Sequence, residues 1–296
     1  MSYLLTDFKE KAHDASIWAA CFTQSNTNLI VTGGLDDFVK LWNSTDISFQ
    51  TQYKHHLAVI SVAADSSGKF IVSSSLDSNI LVYDIVEEKV KHSIQASEPI
   101  WTVTFSPDAK FISCGTANSA ALVYDVESGA QLHKLPGSRP NKYTMSLSFS
   151  PDQKYLATAS VDGTVNIYDF ETQKLLHKLS DVHSSPIRAI TFSRDSQLLV
   201  TGSDDGNIKV FDAQHMSHVA TLHAHQSWVL SVALNNDHIA SGSSDHLVKI
   251  WDLRTRARLD SFSSHQDHVW SVCFDQNGSR LVSAGDDAKI QIYKRV

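Results

Sequence analysis

Histidine, hydroxyl and aspartate side chains recur at fixed spacings in this chain, and these three groups together form the catalytic triad of many hydrolases. They occur with a tryptophan between residues 225 and 252, as His225, Ser241, Asp245 and Trp251. The same order of residue types returns along most of the 296 residues. Because a hydrolase needs one such site, the repetition favours a structural use of these groups over a catalytic one.

Four positions define the repeat, and each returns after about 42 residues. An aromatic residue ends every copy: Trp42, Tyr83, Tyr124, Tyr168, Phe211, Trp251 and Tyr293. Six residues earlier stands an aspartate or asparagine: Asp36, Asp77, Asn118, Asp162, Asp205, Asp245 and Asp287. Four residues before that stands a small hydroxyl or thiol: Thr32, Ser73, Cys114, Thr158, Thr201, Ser241 and Ser283. A histidine precedes five copies, as His13, His55, His183, His225 and His265, whereas Ala96 and Pro140 take its place in the third and fourth.

The residues between these positions predict short β-strands. In the copy from 225 to 252, apolar or β-branched runs at 229–234, 238–242 and 247–251 are separated by turn residues. Runs of this length are too short for helices and fit strands. The last run has apolar groups on both faces, which indicates a sheet that is covered on both sides.

A period of about 40–45 residues with an early histidine and a final Trp-Asp, as at Trp251, resembles the WD40 repeat. The resemblance covers nearly the whole chain and implies an all-β fold, a seven-bladed β-propeller with four antiparallel strands per blade. We expect a single domain over 1–296, with blades at about 14–54, 57–95, 98–136, 141–180, 185–222, 227–262 and 267–296. The last range ends after a third strand, so residues 3–9 are predicted to supply its fourth strand and to close the ring.

The WD40 resemblance also implies a role for the repeated residues. In this family the aspartate binds the histidine, the histidine binds the hydroxyl, and the hydroxyl binds the tryptophan nitrogen. We expect buried networks of this kind among His13, Thr32, Asp36, Trp42, His55, Ser73, Asp77, Thr158, Asp162, His183, Thr201, Asp205, His225, Ser241, Asp245, Trp251, His265, Ser283 and Asp287. Leaving one member without a partner costs about 1–3 kcal/mol, so the networks should fix each turn against its strands.

Composition and the remaining motifs argue against several functions. A net charge of −7 and a pI near 6.1 argue against a nucleic-acid surface built on positive charge. No apolar run approaches the roughly 18 residues of a membrane span. The other histidines, including His215, His218, His223 and His246, are scattered without a cysteine pair or an H-E-x-x-H motif, so neither a metal nor a cofactor is expected.

One set of positions differs from copy to copy and is the candidate functional surface. The fifth residue after the histidine position opens the innermost strand near one rim of the channel: Trp18, Ile60, Trp101, Met145, Arg188, Leu230 and Trp270. Aromatic and arginine side chains are the usual anchors of protein interfaces. We predict that an extended segment of a partner protein binds Trp18, Trp101, Tyr143, Met145, Arg188, Asp204, Trp228, Leu230, Trp270 and Asp286. The alternative is that some of these residues simply plug the channel mouth.

Five stretches narrow the resemblance: residues 12–18, 35–42, 195–215, 227–233 and 265–272 look like the small WD-repeat subunit of the superkiller (Ski) complex. In animals a similar protein is shared with the Paf transcription-elongation complex. The resemblance implies a non-catalytic scaffold for exosome-linked mRNA decay in the cytoplasm and for transcription elongation in the nucleus. It implies binding to the TPR-repeat scaffold and the helicase of the Ski complex and to Paf subunits, without direct contact to nucleic acid or membrane.

Two alternatives remain open. One is a different WD40 adaptor, such as a histone-tail reader or a ubiquitin-ligase substrate receptor. The other is a propeller enzyme, which should show one asymmetric polar cluster in the channel. The sequence shows repeated equivalent sets instead.

Overall fold

The computed structural model describes residues 2–23, 27–137 and 139–296, and within these ranges the chain forms 28 β-strands in seven four-stranded antiparallel sheets. The predicted seven-bladed β-propeller is therefore confirmed. Met1, residues 24–26 of the range predicted for the first blade, and Ser138 lie outside the described residues. Within the described ranges, no helix is long and apolar enough to cross a membrane.

The strands follow the chain from the inner to the outer edge of each blade, except in the last blade. The first strand is β1 (Tyr3–Lys9). Blades 1 and 2 contain β2 (Ile17–Phe22), β3 (Leu29–Gly34), β4 (Phe38–Asn43), β5 (Phe49–Lys54), β6 (Val59–Ala64), β7 (Phe70–Ser75), β8 (Asn79–Asp84) and β9 (Lys89–Gln95). Blades 3 and 4 contain β10 (Ile100–Phe105), β11 (Phe111–Thr116), β12 (Ala121–Asp125), β13 (Gln131–Leu135), β14 (Thr144–Phe149), β15 (Tyr155–Ser160), β16 (Val165–Asp169) and β17 (Leu175–Leu179). Blades 5 and 6 contain β18 (Ile187–Phe192), β19 (Leu198–Ser203), β20 (Asn207–Asp212), β21 (Ser217–His223), β22 (Val229–Leu234), β23 (His238–Ser243), β24 (Val248–Asp252) and β25 (Arg258–Phe262). Blade 7 contains β26 (Val269–Phe274), β27 (Arg280–Gly285) and β28 (Ile290–Arg295), together with β1.

The apolar core lies between neighbouring blades. The second strand of each blade is covered on both faces, and in β7 every residue is buried. Seven hydrophobic clusters each join residues of two adjacent blades. One of them packs Trp42 of blade 1 against Ile290 and Ile292 of blade 7. Because every junction between blades has such a cluster, burial of apolar surface stabilises the ring all the way round.

Blade 7 is completed by both ends of the chain, as the strand count predicts. β1 pairs with β28 in antiparallel register, with Tyr3 opposite Arg295. Tyr3 is buried; its hydroxyl donates to O of Gly278 at 3.2 Å and lies 3.2 Å from Nδ1 of His238 in blade 6. The strand covers the edge of β28, which would otherwise present unpaired backbone groups.

Candidate protein-binding rim

The first strand of every blade contains a β-bulge, and the bulged residue is the predicted rim residue. In β2 the register shifts between Ile17 and Ala19, so Trp18 is the extra residue. The equivalent shifts fall at Ile60, Trp101, Met145, Arg188, Leu230 and Trp270. A bulge redirects the side chain of the extra residue. All seven side chains consequently line one cavity of about 190 Å³, which we call the channel mouth.

Aromatic rings form a continuous arc across the channel mouth. The ring of Trp18 lies 5.0 Å from that of Trp270 and 6.0 Å from that of Trp101, measured between centroids. Tyr143 extends the arc, with its ring 6.1 Å from Trp101. The three tryptophans are half-buried, whereas Tyr143 and Trp228 are 40% and 46% exposed. The rim thus presents an amphipathic aromatic surface to the solvent.

The polar rim residues hold the aromatic rings in place. Nε and Nη2 of Arg188 donate to the two oxygens of Asp204 at 2.9 and 2.8 Å. The guanidinium carbon also lies 5.3 Å from the centre of the Trp228 ring, which is within cation–π range. Trp270 donates through Nε1 to Oδ1 of Asp286 at 2.8 Å. A partner would therefore meet two rings, those of Trp228 and Trp270, that polar neighbours already hold.

Two of the predicted contact residues are much less exposed than Tyr143 and Trp228. Met145 and Leu230 are only 9% and 6% exposed and line the wall of the channel mouth. Their aliphatic side chains gain free energy by packing away from water. That they contact a partner stays a prediction, and in the structure they are less exposed than Tyr143 and Trp228.

Serine hydroxyls in the channel mouth connect one blade to the next. Ser61 Oγ accepts the backbone N–H of Val103 at 3.2 Å, and Ser231 Oγ accepts that of Val272 at 3.1 Å. Arg188, which supplies charge in this lining, is paired with Asp204. The cavity is also smaller than the roughly 300–1,000 Å³ of small-molecule sites. The channel mouth is therefore a small cavity whose arginine is already paired.

The buried network is complete in blades 1 and 6. In blade 1, Nδ1 of His13 lies 2.8 Å from Oδ1 of Asp36, and its Nε2 lies 2.7 Å from Oγ1 of Thr32. Trp42 donates through Nε1 to the same Oγ1 at 2.9 Å. Blade 6 repeats the arrangement with His225, Asp245, Ser241 and Trp251. The hydroxyl is the hub that joins two buried rings.

Blades 5 and 7 keep the network but end it in another aromatic residue. Blade 5 joins His183, Asp205 and Thr201 at 2.8 Å for both links, and Phe211 has no polar atom to add. Blade 7 joins His265, Asp287 and Ser283, and the hydroxyl of Tyr293 lies 3.3 Å from Ser283 Oγ. The last link is therefore missing in blade 5, whereas in blade 7 a tyrosine hydroxyl makes it at the same 3.3 Å as the indole of Trp251 in blade 6.

In blade 2 the structure contradicts one predicted contact. Nε2 of His55 lies 2.6 Å from Oγ of Ser73, but its buried Nδ1 has no hydrogen-bond partner. Asp77 instead accepts the backbone N–H of Asn79 at 2.9 Å. The predicted link between Asp77 and His55 is wrong, because the carboxylate caps its own turn, as aspartate commonly does.

Blade 4 contradicts a second prediction. Thr158 and Asp162 have no histidine to bind, because Pro140 stands at that position and has no ring donor or acceptor. Tyr168 donates its hydroxyl to O of Pro136 at 2.6 Å. This blade is therefore stabilised by packing and by a backbone contact in place of the expected network.

Burial determines the charge of the network groups. It lowers the pKa of His13 and His225, and it lowers that of His55 to about 4. Burial is the largest single influence on Asp245 and raises its pKa, but the hydrogen bonds from His225, Gln226 and Ser243 and the charge interaction with His225 together lower the pKa to about 2. Neutral imidazoles donate from Nδ1 to carboxylates and accept at Nε2. The donors in a complete network then run in one direction, from indole to hydroxyl to imidazole to carboxylate.

Sequence reasoning missed one polar group on this rim. The structure brings His246, which appeared isolated, beside Asp267 and His268, with the possible ligand atoms of all three within 4.8 Å of one another. His268 directly precedes the first strand of its blade, as the exposed Trp228 does in blade 6. That shared position is the signal that could have identified His268 as a rim residue.

Comparisons with known proteins agree with this architecture. A family model described as the IFT122 first beta-propeller matches residues 4–237, which is most of the chain. A model described as WD domain, G-beta repeat matches residues 256–294.

Two relatives share part of the sequence. WD repeat-containing protein VIP3 of Arabidopsis thaliana is 40% identical over 80 residues, which cover 26% of this chain and 25% of that protein. WD repeat-containing protein SL1-17 of Schistosoma mansoni is 36% identical over 83 residues, which cover 26% of this chain and 28% of that protein. The chain thus matches about a quarter of the length of each relative. Together with the seven four-stranded blades, the family matches show that the chain belongs to the WD40-repeat β-propeller family, whose members generally mediate protein–protein interactions.

Proposed function

We propose that this propeller is a non-catalytic scaffold whose rim binds an extended segment of a partner protein. The observation that carries the proposal is the aromatic arc of Trp270, Trp18, Trp101 and Tyr143, with Trp228 exposed nearby. Large aromatic side chains left in contact with water favour association, because covering them removes apolar surface from solvent. Tryptophan, tyrosine and arginine are also the residues that most often dominate binding energy.

The rim is suited to binding because its anchors are rigid before a partner arrives. Arg188 is fixed by two hydrogen bonds to Asp204 and supports the ring of Trp228. Trp270 is fixed by Asp286. Side chains that are already ordered lose little conformational entropy on association, so more of the contact energy remains as affinity.

We further propose that the partners are the TPR-repeat scaffold and the helicase of a Ski complex, together with subunits of a Paf complex. Support comes from the five stretches that resemble the small WD-repeat Ski subunit, including 195–215 and 265–272. The protein would then serve cytoplasmic mRNA decay and nuclear transcription elongation through protein contacts, without binding RNA itself. Its net charge of −7 is consistent with a protein that binds other proteins and does not bind RNA itself.

The test is affinity purification of the tagged full-length chain from cells, with quantitative mass spectrometry. The wild type and the double variant Trp228→Ala/Tyr143→Ala are compared with Leu176→Ala, a control on the outer strand β17 that is 45% exposed. We expect Ski or Paf subunits with the wild type and the control, and their loss with the double variant.

Two results would contradict parts of this proposal. Recovery of neither Ski nor Paf subunits would reject the named complexes, and histones or ubiquitin-ligase subunits in their place would favour a different adaptor. Equal recovery with the wild type and the double variant would place the interface elsewhere on the propeller.

A further inference from the structure

Three side chains converge on the rim where blades 6 and 7 meet, outside the aromatic arc. His246 lies in the turn between β23 and β24, and Asp267 and His268 lie just before β26. Oδ1 of Asp267 is 4.0 Å from Nε2 of His246 and 3.9 Å from Nε2 of His268. Two imidazole nitrogens and one carboxylate oxygen therefore face a common point at the surface.

The backbone holds His246 in a defined direction. Its φ is 69°, in the left-handed region, and the equivalent turn position in blade 5 is Gly206 with a φ of 79°. Histidine tolerates this region better than most side chains do. The N–H of His246 donates to O of Ser243 at 3.2 Å, which closes the turn. The imidazole is thus presented from a tight hairpin and not from a long loop.

A carboxylate orients the second imidazole. Nδ1 of His268 lies 3.1 Å from Oδ2 of Asp286, while its Nε2 faces Asp267 and His246. The Nδ1 side of the ring thus lies against a carboxylate, and the Nε2 side is turned to the other two side chains. Metal-binding histidines commonly have a carboxylate beside the nitrogen that does not bind the metal.

We propose that His246, Asp267 and His268 form a binding site for one divalent transition-metal ion of the zinc class, with a coordination position open to solvent. Two histidines and one carboxylate are a donor set that zinc accepts, leaving a fourth position for water or another ligand. At the usual metal–ligand lengths, the ligand atoms of a tetrahedral zinc lie about 3.3 Å apart. Because all three side chains are partly exposed, small rotations can bring the observed separations of 3.9 and 4.0 Å to that value.

The site is joined to the aromatic arc through one carboxylate. Asp286 faces Nδ1 of His268 and also accepts from Nε1 of Trp270 at 2.8 Å. The group that orients a metal ligand therefore also orients a rim tryptophan. The proposed metal site therefore adjoins the rim that binds a partner in the proposed function.

The test is isothermal titration calorimetry of the full-length protein with zinc chloride in a buffer that does not chelate metals. We expect one ion per chain for the wild type. His246→Ala and His268→Ala should each abolish stoichiometric binding, and Asp286→Asn should weaken it about tenfold or more, in the range known for groups that orient metal ligands. His215→Ala is the matched control. His215 is also an exposed histidine beside a carboxylate, 3.1 Å from Asp212, but that pair contains only one imidazole.

Melting curves recorded without metal check that each variant is folded. Loss of binding in folded His246→Ala and His268→Ala, with wild-type binding in His215→Ala, supports the site. No stoichiometric binding by the wild type would overturn the proposal. Unchanged binding in both histidine variants would overturn it as well, since zinc would then be held by other groups.

Discussion

Blades 1 and 2 carry the same four-position motif, yet their side chains meet differently. In blade 1 the carboxylate of Asp36 reaches Nδ1 of His13, and Trp42 completes the network. In blade 2 Asp77 stays within its turn, and Nδ1 of His55 is left without a partner. Both blades keep the bond between imidazole and hydroxyl, at 2.7 and 2.6 Å. That bond is the common core of the network, and the carboxylate is an addition that a blade can lose.

A similar contrast separates two sets of positions on the same strands. The repeated residues are buried and bind one another, as Thr32 does at the centre of blade 1. The bulge positions and the positions two residues before them vary between blades, and Trp228 and Tyr143 at the latter are exposed. We infer that the repeated set provides stability and the varied set provides recognition. The predictions below aim to break or sharpen this division.

The largest effect on stability is expected from Thr32→Val, which removes the hub of the complete network. Nε2 of His13 and Nε1 of Trp42 would both lose a buried partner, so we expect about 3 kcal/mol of destabilisation. Cys114→Val, at the equivalent position of blade 3, breaks no such network and should cost less than about 1.5 kcal/mol. Urea denaturation of both variants measures the difference, and equal losses would refute the role of the hub.

A smaller effect should distinguish blades 1 and 2 directly. Asp36→Ala removes the partner of Nδ1 of His13 and should cost about 1–3 kcal/mol. Asp77→Ala removes only the cap on the N–H of Asn79 and should cost less than half as much. The comparison of denaturation midpoints tests whether the carboxylates differ as the structure indicates. A loss in Asp77→Ala that matches that in Asp36→Ala would show that Asp77 does bind the network in solution.

Acid should weaken the fold through the buried imidazoles. The folded pKa of His55 is about 4, because burial lowers it from the ordinary histidine value of about 6.5. The unfolded chain therefore binds more protons between these values, and stability must fall as the pH falls from about 6.5 to about 4. Melting temperatures across this range should decline in the wild type and decline less steeply in His55→Gln. An unchanged slope in the variant would mean that His55 does not contribute.

The smallest effect on stability is expected on the rim. Trp228→Ala removes an exposed ring from the edge of the channel mouth, and surface changes of this kind usually shift stability by about 0.5 kcal/mol or less. Differential scanning calorimetry should give a melting temperature close to that of Leu176→Ala. A large drop would mean that Trp228 belongs to the framework instead of the recognition surface.

The fold and most network partners could be predicted from the sequence because the linear spacing of the repeat carries the WD40 resemblance, and that resemblance implies the contacts. The strand 3–9 was identified for the same reason, since a count of strands left one missing in the last blade. The departures depend on contacts that spacing does not encode. Asp77 accepts the backbone N–H of Asn79, and Nδ1 of His55 is left without a hydrogen-bond partner. His246 meets His268 only because two blades stand side by side.

The division between framework and recognition is tested most directly by measuring melting temperature and partner capture on the same samples. For Trp228→Ala/Tyr143→Ala, we predict a nearly unchanged melting temperature and roughly 30-fold weaker capture of the Ski or Paf subunits, the loss expected for one interface hot spot. For Thr32→Val, we predict a lower melting temperature and normal capture below it. A rim variant that captures these subunits as the wild type does would contradict the account.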